Sequence, residues 1–113
     1  MREAEVQAAF VAHLLERGWD PTVNGPDHVD VRARRGAELL VAEVKGDTGS
    51  PGTDVDTLVG QLLRRIDPEV GERYVLVVTE RLLVRVQRID GRVLARLGIE
   101  VVVVDDLGGV RWL

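Results

Sequence analysis

At 113 residues the chain is long enough for one buried core, and with no cysteine it excludes disulfides, zinc–thiolate sites and thiol nucleophiles. A formal net charge of −4 argues against a protein that coats nucleic acid non-specifically, though it leaves room for a local basic patch. No apolar run approaches the roughly 18 residues of a membrane span, and the acidic start MREAEVQ is unlike a secretory leader. The expectation is a single cytoplasmic domain over residues 1–113 with no membrane partner.

Residues 3–17, EAEVQAAFVAHLLER, predict a helix. Val6, Phe10 and Leu14 recur at four-residue steps with Val11 and Leu15 beside them, and Gly18 is a natural stop. WDPTVNGPDH, with its prolines and glycine, reads as loop or irregular edge. VDVRARRG alternates, so Val29, Val31 and Ala33 are expected on one face and Asp30, Arg32 and Arg34 on the other. After a turn at Gly36–Ala37, ELLVAEVKG is a second, more apolar strand, with Leu39, Val41, Glu43 and Lys45 on one face and Leu40, Ala42 and Val44 on the other. GDTGSPGT at 46–53 reads as a flexible loop, suited to a flap over substrate. Thr53 or Asp54 is expected to cap the next helix, DVDTLVGQLLRRI, which buries Val55, Leu58, Leu62 and Ile66. YVLVVT and IEVVVVDD are buried strands, separated by a helical stretch over 80–97 interrupted at Asp90–Gly91. Gly108–Gly109 turns the chain into a short last strand, VRWL. The order α-β-β-α-β-α-β-(β) predicts an α/β fold with a mixed central sheet flanked by helices.

One position stands apart. Lysine and arginine together number 15, and Lys45 is the only lysine. It lies two residues beyond Glu43, so ammonium and carboxylate emerge on one face of the strand. A tight hairpin around Gly36 would bring Asp30 to the same end. Carboxylates converging there repel each other unless a divalent cation lies between them. Hard oxygen donors of this kind suit Mg²⁺ or Mn²⁺, with the Val44 carbonyl as a further candidate ligand and water completing the shell. Such an ion polarises a phosphodiester and activates a bound water. Lysine suits the neighbouring position because its ammonium is a compact point charge with an adjustable pKa, whereas guanidinium is broad, planar and permanently protonated.

HVDVRARRGAELLVAEVKG resembles the core of the PD-(D/E)XK nuclease superfamily, whose members share the restriction-endonuclease-like fold. Asp30 matches the motif aspartate, and Glu43 and Lys45 match the E-x-K pair. The thirteen-residue step from Asp30 to Glu43 is similar to that of archaeal Holliday-junction resolvases. The first helix, ending in Gly-Trp, and the later helix GQLLRRI, with Gln61, extend the resemblance over an α-β-β-α-β core covering about residues 3–80. It implies a magnesium-dependent endonuclease acting on DNA, branched DNA included, with Gln61 supporting the site. It also implies an acid from the first helix. Glu3 lies near the apolar stripe and Glu5 points away, while Gln7 lies one turn beyond Glu3 on the same face. The literal Pro-Asp pair is Pro26–Asp27, so Asp27 competes with Asp30 for the aspartate position.

Arg32, Arg34, Arg64 and Arg65 form a candidate phosphate-contacting rim. His28, two residues before Asp30, is a candidate neighbour of the site. So small a domain has little surface with which to grip DNA, and a homodimer is expected, with Trp112–Leu113 and the 80–97 helix as candidate contacts. The alternative reading is a nuclease-fold module that binds nucleic acid or a protein partner without cutting.

Overall fold

The computed structural model describes all residues, 1–113. A six-stranded mixed sheet runs in spatial order β1 (Asp20–Val23), β2 (Val31–Arg35), β3 (Glu38–Val44), β4 (Arg73–Thr79), β5 (Ile99–Val104) and β6 (Val110–Trp112). β3, β4 and β5 are parallel neighbours, while β1, β2 and β6 add antiparallel edges. Helix α1 (Glu3–Glu16) covers one face. Helices α2 (Pro51–Arg65), α3 (Glu80–Val86) and α4 (Gly91–Arg96) cover the other. No helix is long and apolar enough to cross a membrane.

Each face has its own core. Val6, Phe10 and Leu14 of α1 pack on Val31, Ala33, Leu40, Ala42, Val44, Val75, Val77, Val102 and Val104. Opposite them, Val55, Leu58 and Leu62 of α2 meet Val41, Leu76, Val78, Val101 and Val103. The parallel strands β4 and β5 are buried on both faces, which is why they read as unbroken apolar runs rather than alternations. α1 ends as the sequence suggests. Gly18 takes φ +80°, its N–H donates to the Leu15 carbonyl, and the Trp19 N–H reaches back to that of Leu14. Gly36, at φ +60°, opens the two-residue β2–β3 turn between the paired Arg35 and Glu38.

The structure departs from the sequence-based expectations at several points. DPTV is a true edge strand, β1, pairing Asp20 with Arg34 through Val23 with Val31. Pro21 is tolerated there because an edge strand has an outer side whose N–H groups need no partner. α2 begins at Pro51 after Ser50, so Thr53 and Asp54 sit inside its first turn and the connecting loop shrinks to 46–50. The Pro51 ring presets the helical φ, an N-terminal signal stronger than the polar residues behind it. Ile66 caps α2 and is only half-buried. Val29 belongs with the α2-side core rather than with Val31 and Ala33, because the left-handed His28 (φ +63°) ends the alternation before β2 begins. Trp112 is half-buried, while Leu113 beyond it is exposed. The Trp112 indole N–H donates to His13 Nε2 at 2.8 Å and its ring packs near Phe10.

Candidate functional site

The last registered pair of the β2–β3 ladder is Val31 with Ala42, so Asp30 falls opposite Glu43 at the carboxyl end of β3. Both lie toward the α2 face of the sheet. Asp30 is anchored by its Oδ2, which accepts the Val44 N–H at 2.8 Å. Its backbone carbonyl accepts from Gln7 Nε2 of α1 at 2.9 Å, and Gln7 also touches Asn24 Oδ1 at 3.4 Å. Glu43, only 2% exposed, has its side chain among the largest fully buried ones of the molecule.

Burial pushes the Glu43 carboxyl up to about 7, helped by a hydrogen bond to Asp30 and by the Asp30 charge. Arg65 opposes this shift. From the last turn of α2 its Nε donates to Glu43 Oε1 at 3.1 Å, and its Nη2 donates to the His28 carbonyl at 3.2 Å. The Arg65 guanidinium supplies the positive charge beside the Glu43 carboxyl.

Lys45 projects just beyond the end of β3. Its Nζ lies 3.8 Å from Glu3 Oε1 and 3.9 Å from Asp54 Oδ1, outside hydrogen-bond range of either. Asp54, in the first turn of α2, also pairs with the Thr48 hydroxyl. Gly46 explains the closeness of α1. A Cβ at Gly46 would lie 2.3 Å from the Glu3 nitrogen, so the chain leaving the site runs directly across the first turn of that helix. The following residue, Asp47, pairs with the Met1 amino group at 2.8 Å and accepts the Thr79 hydroxyl at 2.6 Å, tying the loop to β4.

The sequence-derived candidates therefore sort by position. Asp30 and Glu43 are in contact, Lys45 stands beyond them, and Glu3 reaches the site through Lys45. Glu5 is occupied by the helix start, accepting the Arg2 N–H at 3.0 Å. Asp27 is turned away, paired with Arg32 and accepting the Val29 N–H, so Asp30 is the aspartate facing Glu43. Val44 meets Asp30 through its amide N–H. Gln61 is exposed on α2, and the residue of that helix that touches Glu43 is Arg65, one turn on. Arg34 and Arg64 are exposed, while Arg32 is held between Asp27 and Glu72. His28 contributes its carbonyl to Arg65, and its side chain is exposed. Sequence reasoning missed Asp54 at Lys45 and the direct Arg65–Glu43 pair. The signal for Asp54 was the Ser50–Pro51 helix start, which puts it in the first turn three residues after Pro51.

No cluster of three or more acidic, histidine or cysteine side chains converges on one point. The acidic donor set is the Asp30–Glu43 pair. Two carboxylates, with water and substrate oxygens completing an octahedron, suit magnesium, which rarely uses an all-protein cage.

No protein-family model matches the chain, and no curated protein matches it. Among solved structures, an XisH family protein from Nostoc punctiforme superimposes with a TM-score of 0.65 at 20% identity, over 96% of this chain and 98% of the other. An fdxN element excision controlling factor protein from Anabaena variabilis gives 0.65 at 18% identity, with the same 96% and 98% coverage. At such identities the likeness establishes the fold: a mixed α/β chain whose sheet carries helices on both faces, compatible with the α-β-β-α-β nuclease-like core.

Proposed function

We propose that the chain is a magnesium- or manganese-dependent endonuclease acting on DNA. The observation that carries this reading is the Asp30–Glu43 carboxyl pair, Glu43 buried and Asp30 half-buried, with Lys45 at the same end of the hairpin. Burying one carboxyl group against a second is unfavourable in a merely structural role, where an apolar side chain would pack without repulsion. Asp30 and Glu43 would hold the ion, with the Val44 carbonyl as a further donor. The bound cation would polarise the phosphodiester and lower the pKa of a water. Lys45, committed to neither Glu3 nor Asp54, orients the attacking water or the scissile phosphate with a mobile point charge. Gln7 and the Val44 N–H hold Asp30 in place for this work. An excision role, named for one structural neighbour, is compatible with a DNA substrate.

A second reading has its own support. Arg65 already neutralises Glu43, as it would in a nuclease-fold module that binds a partner without cutting. Incubating the protein with Mg²⁺ or Mn²⁺ and plasmid, single-stranded, flap and four-way-junction DNA separates the two. Cleavage that Glu43→Gln and Lys45→Arg both abolish is the expected outcome. No cleavage of any substrate by a folded wild type would sink the catalytic reading.

A further inference from the structure

Of the four arginines placed on the phosphate rim from sequence, Arg32 is held by Asp27 and Glu72 and Arg65 by Glu43, while Arg34 and Arg64 are exposed. A row beside the carboxyl end of β4 is also free. Arg81 and Arg85 lie four residues apart on α3, hence on one side of the helix. Arg88 follows in the helical turn that extends α3, where Gln87 N–H donates to Leu83 O and Arg88 N–H to Arg85 O. None of the three has an acidic partner within ion-pair distance, whereas Arg92 and Arg111 are each taken by one. The acid that opens α3, Glu80, is itself occupied by Arg111 at 2.8 Å.

The row starts at the site. α3 springs from the carboxyl end of β4, beside the end of β3, and its cap Thr79 bonds to Asp47 of the loop after Lys45. Arg81 acts electrostatically on Asp47, and the Arg85 guanidinium lies 3.7 Å from where a Cβ on Gly52 would stand, at the start of α2. From Arg81 to Arg88 the row runs about 10 Å along the helix axis at ~1.5 Å per residue. A DNA strand presents about three phosphates over that length, at ~3.4 Å of axis each. Val84, 61% exposed beside the row, offers an apolar surface to sugar rings.

We infer that α3 is the DNA-gripping element, with Arg81, Arg85 and Arg88 following one strand's phosphates away from the carboxylate pair. The inference rests on the nuclease-like reading of the site. In a chain of net charge −4, a local cationic row must supply the attraction that the whole molecule does not. An unpaired arginine also needs no partner stripped from it before it meets a phosphate.

The test is fluorescence anisotropy with labelled duplex and four-way-junction DNA in EDTA, so that binding is read without cleavage. Arg81→Gln/Arg85→Gln/Arg88→Gln should weaken binding at least about tenfold and flatten the log K against log salt slope by about 2.7, or ~0.9 per lost phosphate contact. The triple lysine variant should keep the slope, and Arg32→Gln, at an arginine already held by two carboxylates, should match wild type. Wild-type binding unchanged in the triple glutamine variant would overturn the inference and leave the nucleic-acid reading standing. A wild type that binds no DNA would overturn that reading itself. Binding to anionic phosphatidylserine vesicles but not DNA, lost with the same three arginines, would reassign the row to a membrane surface.

Discussion

Replacing Glu43 by Gln should make the metal-free protein more stable at alkaline pH and change little at acid pH. The carboxyl is lifted from its ordinary 4.5 to about 7. Such a group binds its proton more tightly in the folded chain, so the stability it contributes is complete below the unfolded value and is lost as pH rises through the folded one. The shift corresponds to about 3 kcal/mol at ~1.4 kcal/mol per unit. Glutamine has the same shape, stays neutral at every pH and can still donate to Asp30. Urea unfolding of both proteins in EDTA, from about pH 5 to about pH 8.5, gives the difference directly. His13, whose pKa is lowered chiefly by burial, pulls the other way, because its contribution is present above its unfolded pKa and fades as pH falls. It is common to both proteins and cancels. The expected result is near-equality at pH 5 and an advantage for Glu43→Gln growing to about 3 kcal/mol by pH 8.5. A difference that stays flat across that range would refute the raised Glu43 carboxyl. Adding Mg²⁺ at the alkaline end should then stabilise the wild type alone, by about 1.4 kcal/mol at ten times its Kd.

Arg65→Gln should raise Mg²⁺ affinity about tenfold at about pH 8.5, since removing the guanidinium leaves the carboxylates without their internal cation, worth ~1.4 kcal/mol or more. Isothermal titration checks it, and unchanged or weaker binding would show that Arg65 does not compete with the ion. Gly46→Ala should destabilise the fold by about 1–3 kcal/mol, the usual range for overpacking, because its Cβ would meet the Glu3 backbone 2.3 Å away. Thermal unfolding reads that loss, and an alanine variant as stable as wild type would mean that the loop separates from α1.

What was legible in the sequence follows from where periodicity is enforced. Glu43 and Lys45 were placed correctly because β3 is buried on both faces and a two-residue turn fixes its register with β2, leaving Asp30 only one position opposite Glu43. Val6, Phe10 and Leu14 of the α1 stripe were legible for the same reason, their face being buried, whereas Val11 is half-buried and Leu15 lies exposed at the stripe's edge. β1 was not, because three of its four residues are exposed and its pairing depends on β2 rather than on its own pattern. Arg65 was recognised as basic and near the site, but its pairing with Glu43 depends on how α2 crosses the sheet, which is tertiary information. Arg32 shows the converse: a sound surface position whose charge is consumed by Glu72, forty residues away in sequence.

The single lysine acquires a physical explanation from its surroundings. Glu3 and Asp54 approach its Nζ from two different helices at nearly equal distances, 3.8 and 3.9 Å. An ammonium between them has no directional preference, and its position is set by the balance of two weak attractions. A guanidinium would resolve that balance, because its planar fork matches one carboxylate in a bidentate pair and would settle there. The site would then hold a charge locked to a wall instead of one able to follow a water or a phosphate. Arg65 is the contrast, at the other end of α2. There a fork is wanted, since it bridges Glu43 and the His28 carbonyl at once and holds α2 to the chain entering β2. One cation stands between two carboxylates and the other is clamped by two acceptors, and the side chain at each position matches its surroundings.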